Sequence, residues 1–329
     1  MTKVFIDGSA GTTGLRIHER LKERSDLDLV TLSGEQRKDP AARKEAICNA
    51  DVAFLCLPDA AAIEAVALAE GCDTVIIDTS TAHRTAQDWT YGFPEISGFR
   101  EKIRVSKRIA NPGCHASGFI SLAAPLTEGG LLKKDASLTC FSLTGYSGGG
   151  KKMIGQYEIT DGADAAGSCD AASKQAALSG RDPLLNAPRQ YGISQMHKHL
   201  PEMQKFSGLE TAPVFCPIVA DYYSGMEVTI PVFASDLNAS VDEVRAFFRA
   251  YYNDRPGLVR YEDSMDEGGF IAANRMSGRD DMVVTVTGNE DRILLVSLFD
   301  NLGKGASGAA IQSMNIVLGV DEYTGLVIG

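Results

Sequence analysis

The first 113 residues alternate short apolar segments with helical patterns, and this alternation restricts the fold more than any other feature of the chain. The apolar segments lie at residues 3–7, 27–32, 52–57 and 74–78. Helical patterns separate them, at residues 15–24, 41–50 and 60–70. Strands that are apolar at almost every position are buried on both faces, as in a parallel sheet covered by helices. The sequence therefore predicts an α/β fold with a doubly wound parallel sheet.

The remaining residues have a different pattern. Longer segments with alternating apolar positions lie at residues 137–143, 214–219, 227–233, 283–287 and 293–299. Such alternation is typical of half-buried antiparallel strands, so we predict a second, α+β domain with a mainly antiparallel sheet. Residues 104–110 are expected to form a strand, and residues 160–178 a surface loop or a poorly packed helix. Ser240 and Glu243 form a capping box for a helix ending at Tyr252, and a last helix covers residues 305–318.

A glycine-rich turn joins the first strand to the first helix. Its glycines are Gly8, Gly11 and Gly14, and Ser9, Thr12 and Thr13 lie between them. Glycines here let the backbone approach a pyrophosphate, which the helix N-terminus attracts. The spacing GxxGxxG differs from the commoner GxGxxG, and glycines that serve packing alone are the alternative. Its position at the start of a Rossmann-type repeat favours a dinucleotide site formed by these six residues.

The end of the second strand indicates which dinucleotide binds. An NAD site usually has an acidic residue there to hold the ribose hydroxyls. This chain instead continues with Ser33, and Arg37 and Lys38 follow. Hydroxyl and basic side chains suit a 2′-phosphate, so we predict NADP, with Ser33 and Arg37 as ligands. The alternative is an ordinary solvated loop.

Charge and cysteine content exclude several classes of function. The chain of 329 residues has a net charge of −11, which disfavours nucleic acids and anionic membranes as partners. Seven cysteines without CxxC spacing argue against a disulfide framework or a zinc site. No signal peptide or apolar run of membrane-spanning length is present. We therefore expect a soluble protein of the reducing cytoplasm.

Cys114 is the candidate nucleophile. It follows Asn111-Pro-Gly and opens a run of helix-forming residues. A helix N-terminus stabilises a thiolate. Cys56 and Cys140 lie inside apolar strands and fit the commoner role of a buried structural cysteine.

Histidines are the expected acid/base partners of such a cysteine. His197 and His199 lie together in Met196-His-Lys-His-Leu-Pro-Glu202. His115 follows the cysteine directly and is expected to point to a different face of the helix. A metal site is the rival interpretation of the two nearby histidines, but no third ligand has suitable spacing, so we predict no metal.

Several ordered motifs together resemble one enzyme family. They are Gly8–Gly14, DTSTAHR (78–84), YGFPE (91–95), NPGC (111–114), GYSGGGK (145–151), HKHLPE (197–202) and DNLGKGASGAAIQSMN (300–315). In these motifs the chain resembles the N-acetyl-γ-glutamyl-phosphate reductases of arginine biosynthesis, relatives of aspartate-semialdehyde dehydrogenase. The length matches the shorter of the family's two forms. One departure from the better-known long form is His115, where that form commonly has an aromatic residue.

The resemblance implies a mechanism and roles for named residues. Cys114 would attack an acyl phosphate and form a thioester, which NADPH would reduce to the aldehyde. The resemblance implies a proton-transfer role for one of His197 and His199, with His199 favoured. The segment around residue 301 would pack against the N-terminal domain and contact the nucleotide. The residues implied at the cofactor are Asn301, Gly303, Lys304 and Gly305. Those expected at the substrate are Asn111, Ser147, Gly148, Lys151 and Glu202. Arg108 is a further candidate for binding the phosphate group of the substrate.

The resemblance also implies a domain division and a set of rival functions. Residues 1–113 and 301–329 would form the NADP-binding domain, and residues 114–300 a catalytic and dimerisation domain. We expect a homo-oligomer, either a dimer or a tetramer. Aspartyl phosphate and carrier-bound aminoadipyl phosphate are the alternative substrates, and a non-catalytic NADP-binding sensor is the alternative from a different class.

Overall fold

The structure is a computed structural model that describes residues 1–158 and 181–329. The predicted loop or helix at residues 160–178 lies outside the described residues. Strands are β1 (Thr2–Asp7), β2 (Leu27–Val30), β3 (Val52–Leu55), β4 (Val75–Asp78), β5 (Thr90–Tyr91), β6 (Arg108–Ala110), β7 (Thr139–Gly145), β8 (Arg189–Gln190), β9 (Val214–Ala220), β10 (Met226–Phe233), β11 (Val259–Tyr261), β12 (Met282–Gly288) and β13 (Arg292–Phe299).

Helices alternate with the first strands and are sparser later. They are α1 (Thr12–Leu21), α2 (Pro40–Cys48), α3 (Asp59–Leu68), α4 (Phe99–Val105), α5 (Cys114–Glu128), α6 (Gly150–Tyr157), α7 (Leu200–Ser207), α8 (Val241–Asn253) and α9 (Gly308–Leu318). A π-helical turn, Gly303–Ser307, leads into α9.

The first sheet has the predicted parallel, doubly wound form. Its strand order is β2-β1-β3-β4-β6-β5, and every pair is parallel. Side chains of β1 alternate between two apolar cores, with Val4 and Ile6 in one and Phe5 in the other. Strands buried on both faces explain the uniform apolar pattern.

The last helix returns to the first sheet. Ile311 and Met314 of α9 are fully buried in the same core as Val4 and Ile17. A segment nearly 300 residues away along the chain thereby completes one face of the N-terminal sheet.

Residues 104–110 do not form the single strand that the sequence predicts. Residues up to Val105 belong to helix α4, and only Arg108–Ala110 form strand β6. Ile103 is the buried residue of α4, and charged residues surround it in the sequence. One buried apolar side chain is therefore enough to pack this short helix against the protein. The prediction of a longer strand is therefore wrong.

The second sheet is mixed, with antiparallel pairs in the majority. Its strand order is β11-β12-β13-β10-β7-β9-β8. Pairs β7–β9 and β11–β12 are parallel, and the other four pairs are antiparallel. Helix α5 is buried along nearly its whole length against this sheet. The predicted capping box at Ser240 and Glu243 opens helix α8.

One disulfide contradicts the expectation drawn from the cysteine spacing. Cys48, at the end of α2, is bonded to Cys72, just before β4, with Cα atoms 5.2 Å apart. The two cysteines are 24 positions apart, and the chain between them folds back as β3 and α3, so their proximity arises from the tertiary structure rather than from short spacing. No helix of the described residues has the length and apolar character needed to cross a membrane.

Candidate active site

A cavity of about 450 Å³ lies where the two sheets meet, at the carboxyl ends of the parallel strands. This is the edge at which open α/β sheets bind ligands. Its walls come from the glycine turn, the loop after β4, the N-terminus of α5, the loop before α7 and the turn before α9. Predicted site residues on these walls are Gly11, Thr12, Thr13, Asn111, Cys114, Ser147, Gly148, His197, His199, Asn301 and Gly305.

The glycines of the first turn are required by close backbone contacts. Gly8 has φ +85°, and a Cβ on Gly14 would collide with the carbonyl oxygen of Gly8. Gly11 is the N-cap of α1 and supplies no side-chain hydrogen bond, and the first turn of α1 contains no acidic residue. The amides of this turn therefore face the cavity without a competing cap, as a pyrophosphate requires.

Ser33 and Arg37 lie after β2, the strand beside β1 in the first sheet. Both side chains are exposed, and Arg37 is part of a short 3₁₀ turn, Gly34–Lys38. Neither residue lines the cavity itself. Among the described residues, Arg37 has no ion pair with a carboxylate, so its guanidinium is available to an anionic ligand.

The segment around residue 301 contributes to the site in part. Gly305 lies on the cavity wall, and a Cβ there would be 3.0 Å from the Cβ of Cys114. Asn301 also lines the cavity, but both ends of its amide group are already hydrogen-bonded. Its Oδ1 accepts from the Gly225 amide (2.9 Å), and its Nδ2 donates to the Ser147 hydroxyl (3.0 Å). Gly303 packs against the backbone of Arg279 and does not line the cavity.

Lys304 occupies a different environment from the one expected at a cofactor. Its ammonium group is fully buried and lies 2.7 Å from Glu95 and 2.6 Å from Gln312. The same ammonium lies 4.9 Å from the centre of the Phe93 ring. The side chain is therefore occupied by an internal ion pair, and the expectation that it contacts the nucleotide is corrected.

Cys114 is the first residue of α5, as the sequence predicts, and Gly113 is the N-cap. Burial raises the pKa of its thiol to about 11, although Arg84 and the His115 amide act in the opposite direction. The thiol is therefore neutral near pH 7 in the protein as it stands. The helix N-terminus alone does not ionise it, and this corrects the simple expectation of a thiolate.

Three side chains converge on Gly113, directly before the nucleophile. A Cβ at this position would lie 2.5 Å from both Glu202 Oε1 and His199 Nε2 and would also collide with Arg84. Only glycine leaves room for this arrangement. The side chains of Arg84, Glu202 and His199 therefore require a glycine at the position before Cys114.

Glu202 serves the site as an internal anchor. Its Oε1 accepts a hydrogen bond from Arg84 (2.9 Å), and its Oε2 accepts from Tyr91 (3.0 Å) and from the Gly113 amide (3.2 Å). The carboxylate is 1% exposed and does not line the cavity. The sequence predicts that Glu202 contacts the substrate. With both oxygens engaged, the carboxylate instead holds Arg84 and Gly113 in place.

Arg84 was missed as a site residue by the sequence interpretation. It donates hydrogen bonds to the carbonyl oxygens of Asn111 (3.0 Å) and Thr79 (3.2 Å) and borders the cavity. A basic residue in the loop directly after a parallel strand was the signal available in the motif DTSTAHR. Lys198, between the two histidines, also borders the cavity, with its side chain exposed.

His197 and His199 lie together, with ring centres 4.7 Å apart. The His199 amide donates a hydrogen bond to Nδ1 of His197 (3.2 Å). Gln195 has φ 55°, and its side chain makes two 2.8 Å hydrogen bonds to the Phe215 backbone. These bonds fix the loop that presents both rings to the cavity.

Burial keeps the imidazoles of the site neutral. It lowers the pKa of His199 well below the usual 6.5, and Arg84 lowers it further. Burial also lowers the pKa of His197, assisted by Lys198. The Nε2 atom of His199 lies 3.9 Å from Glu202 Oε1, and its Nδ1 has no hydrogen-bond partner among the described residues. A neutral imidazole can accept a proton, and His199 and Cys114 line the same cavity.

The sequence predicts that His115 points to a different face of the helix from Cys114, yet both residues line the same cavity. The ring centre of His115 lies 5.9 Å from that of His197 and 5.5 Å from that of His199. The ring fits between α5 and the mixed sheet, where Ser142 of β7 bonds to it. As the second residue of α5, His115 directs its side chain toward the sheet.

The predicted substrate residues divide into two groups. Asn111, Ser147 and Gly148 line the cavity, and Asn111 Oδ1 is buried without a hydrogen-bond partner among the described residues. Lys151 is exposed on α6 and does not line the cavity. Arg108 bonds to the carbonyl oxygens of Thr74 and Lys107, away from the cavity. The candidate role of Arg108 at the substrate phosphate is therefore wrong.

The chain is similar to known proteins over nearly its whole length. Residues 3–106 match the model of the semialdehyde dehydrogenase NAD binding domain, and residues 164–301 match that of the semialdehyde dehydrogenase dimerisation domain. The chain is 40% identical to N-acetyl-gamma-glutamyl-phosphate reductase 2 of Nostoc sp., covering 98% of this chain and 99% of the relative. It is 42% identical to N-acetyl-gamma-glutamyl-phosphate reductase of Brucella suis, covering 96% and 99%.

Solved structures share the same fold at much lower identity. Aspartate semialdehyde dehydrogenase II of Vibrio cholerae, complexed with ASA, has a TM-score of 0.69 at 16% identity, covering 97% of this chain and 98% of the other. The enzyme of Candida albicans with NADP has a TM-score of 0.64 at 14% identity, covering 96% and 99%. Together with the matched domains and the 40–42% identical relatives, these similarities establish that the chain belongs to the semialdehyde dehydrogenase family, on the branch of the N-acetyl-gamma-glutamyl-phosphate reductases.

Proposed function

We propose that this protein uses NADPH to reduce N-acetyl-γ-glutamyl phosphate to N-acetylglutamate semialdehyde and phosphate. The observation that carries the proposal is a single cavity shared by the Cys114 thiol at the start of α5 and the glycine turn at the start of α1. The names of the 40–42% identical relatives support the same reaction.

The chemistry begins at the Cys114 sulfur. As Sγ bonds to the acyl carbon, His199 takes up the thiol proton, which is the role its neutral ring permits. The bond between the acyl carbon and the phosphate oxygen then breaks, and phosphate leaves with its electron pair. The product is a thioester on Cys114. His197, through its hydrogen bond with the His199 backbone, holds the loop and is a positioning residue.

NADPH, when bound, supplies the hydride that converts the thioester to the aldehyde. The carbon–sulfur bond breaks as the aldehyde carbonyl forms, and the His199 imidazolium returns its proton to the departing sulfur. The cation of Arg84, bound to Glu202, stabilises negative charge beside the cavity throughout.

The described residues fit an NADP molecule. The uncapped first turn of α1 would hold the pyrophosphate, with Gly11, Thr12 and Thr13 against it. Gly8, Ser9 and Gly14 would shape the turn, and Ser33 and Arg37 would bind the 2′-phosphate. Asn301 and Gly305 would border the nicotinamide end, beside Cys114. We assign residues 1–113 and 301–329 to the nucleotide-binding domain on this basis.

The outer face of the mixed sheet supports a homo-oligomer. Its exposed apolar side chains are Phe141 (41% exposed), Val214 (55%), Phe233 (62%) and Leu294 (40%). A second copy of the chain would cover this face, giving a dimer or a tetramer built from such dimers. Phe233→Glu should shift the sedimentation coefficient toward that of a monomer, whereas the exposed Phe270→Glu should not.

The catalytic thiol also supports a cytoplasmic location, because it is active only when reduced. Cys114 and three other described cysteines are free thiols. Neither Cys48 nor Cys72 lines the cavity, although residues 56–59 between them do, so their bond does not involve the nucleophile.

The decisive experiment measures NADPH oxidation with three acyl phosphates: N-acetyl-γ-glutamyl phosphate, aspartyl phosphate and carrier-bound aminoadipyl phosphate. We expect turnover with the first alone, accompanied by stoichiometric phosphate release. Turnover with either of the others would reassign the substrate. NADPH binding without turnover on any of them would instead favour a nucleotide sensor and refute the proposed reaction.

A further inference from the structure

We propose that Tyr191 is a further catalytic residue, whose hydroxyl donates a hydrogen bond to the reacting acyl oxygen, and that His115 and Ser142 orient it. This inference rests on the proposed function. Tyr191 follows strand β8 and lines the cavity with Cys114. Neither the sequence motifs nor the family comparison assigns it a role.

Three side chains form a continuous chain of hydrogen bonds from the sheet to the cavity. His115 Nδ1 lies 2.7 Å from the Ser142 hydroxyl oxygen, and His115 Nε2 lies 2.6 Å from the Tyr191 hydroxyl oxygen. Ser142 is fully buried and His115 is 3% exposed. Both bonds are short, and the far end of the chain is the cavity.

The surroundings of Ser142 determine the direction of this chain. Among the described residues, His115 Nδ1 is the only hydrogen-bond partner of the Ser142 hydroxyl. If Nδ1 carried the proton, the buried Ser142 hydrogen would have no acceptor, which is costly. Ser142 therefore donates to Nδ1, and the proton of the neutral ring resides on Nε2.

The Nε2 proton in turn fixes the Tyr191 hydroxyl. His115 donates to the phenol oxygen, so the phenol hydrogen cannot point back at His115 and is directed elsewhere. Among the described residues, the Tyr191 hydroxyl has no other hydrogen-bond partner. Its hydrogen is thus free to meet an oxygen atom of the substrate in the cavity.

The reaction creates the negative charge that such a donor would stabilise. When Cys114 adds to the acyl carbon, the carbonyl oxygen becomes an oxyanion, and it does so again during reduction of the thioester. Burial and the neighbouring Cys114 raise the pKa of Tyr191, so the phenol keeps its proton. It acts as a hydrogen-bond donor that stays protonated, in the manner of an oxyanion hole.

The first test compares Tyr191→Phe with the exposed Tyr223→Phe. Removing one oxyanion donor lowers kcat about 100- to 1,000-fold in other enzymes. We expect a loss of about that size for Tyr191→Phe with NADPH affinity unchanged, and no loss for Tyr223→Phe. The unfolding temperature of Tyr191→Phe should fall modestly, because the His115 Nε2–H loses its acceptor. Wild-type kcat in Tyr191→Phe would overturn the inference. An inactive wild-type enzyme would instead refute the proposed function.

The second test separates positioning from an independent role of His115. His115→Phe should lower kcat, and adding it to Tyr191→Phe should lower kcat no further, because His115 acts through the phenol. Additive losses would overturn the relay. Should His115→Phe fail to fold, Ser142→Ala provides the same comparison.

The third test determines the His115 tautomer directly and needs no activity assay. In the resting enzyme labelled with ¹⁵N-histidine, the His115 ring should be the neutral Nε2–H tautomer, and Ser142→Ala should allow the Nδ1–H form. An Nδ1–H tautomer in the wild-type protein would overturn the proposed direction whether or not the enzyme turns over.

Discussion

The Gly113 amide donates a hydrogen bond to Oε2 of Glu202 at a distance of 3.2 Å, which ties the residue before the nucleophile to helix α7. The other carboxylate oxygen binds Arg84 at 2.9 Å. One buried side chain therefore fixes both the start of α5 and the cation of the site. His199 precedes α7 as its N-cap, so the same helix also sets the position of the acid/base.

Glu202→Gln should therefore affect stability and catalysis together. The amide preserves the volume but leaves the buried Arg84 cation without its counter-charge, and breaking a buried pair costs about 3–5 kcal/mol. Denaturant unfolding should show a loss of that order, and kcat should fall in the folded fraction. The exposed Glu45→Gln is the control. A Glu202→Gln protein with wild-type stability would contradict the anchoring role.

The Cys114 thiol should react slowly near pH 7 and much faster at high pH. Alkylation requires the thiolate, and burial raises the pKa of this thiol to about 11. The rate constant for iodoacetamide should rise about tenfold per pH unit from pH 7 to pH 10, as measured by mass spectrometry of the Cys114 peptide. A rate that levels off below pH 8 would mean that the helix N-terminus ionises the thiol after all.

Cys114→Ser supplies the companion test of covalent catalysis. A serine hydroxyl is a much weaker acid and nucleophile than a thiol, and an ester accepts hydride less readily than a thioester, so NADPH oxidation should cease while NADPH affinity stays unchanged. Cys216→Ser, at a free cysteine that does not line the cavity, is the matched control and should remain active. A serine variant of Cys114 with normal turnover would refute the thioester route.

His199→Asn should lower kcat by about 100-fold or more, the usual contribution of a general acid/base. His197→Asn should cost less than tenfold, since an amide oxygen can accept the His199 N–H in place of Nδ1. The free-enzyme pKa of His199 is well below 6.5, and the neutral ring is the active form. The pH profile of kcat/KM should therefore be flat above pH 6.5 and decline only at lower pH. An equal loss of kcat in the His199→Asn and His197→Asn variants would reject His199 as the acid/base.

Arg37→Gln should weaken NADPH binding without changing NADH binding. A charged hydrogen bond to the 2′-phosphate contributes about 1.5–3 kcal/mol, which corresponds to roughly 10- to 150-fold in Kd. Calorimetric titration of both nucleotides measures the difference. Lys38→Gln, the adjacent exposed residue, serves as the control, and equal wild-type affinity for NADPH and NADH would argue against a 2′-phosphate site.

Lys304→Met should destabilise the fold and leave nucleotide affinity intact. The variant leaves Glu95 buried without its cation, at a cost of about 3–5 kcal/mol. The ammonium lies between Glu95 and Gln312, so removing it should not change the Kd for NADPH in the folded protein. A large loss of affinity at unchanged stability would restore the role that the sequence first indicated for Lys304.

The local features of this protein follow from its amino-acid sequence alone. The apolar runs of the first 78 residues specify buried parallel strands, because a strand covered on both faces excludes polar residues. Gly8 and Gly14 mark a turn that tolerates no Cβ, and Cys114 opens α5 as the Pro-Gly before it indicates. These properties depend on a residue and its near neighbours, so they can be read along the chain.

Which side chains are free to act depends on long-range contacts in the folded chain. Lys304 and Glu202 lie in motifs that resemble a ligand site, yet both are bound to buried partners more than 100 residues away. Arg84 and Tyr191 enter the site because distant loops fold against α5. The thiol pKa of Cys114 depends on burial by groups from several elements, which outweighs the effect of its own helix. Desolvation and long-range pairing arise only when the chain is folded, and no local pattern encodes them.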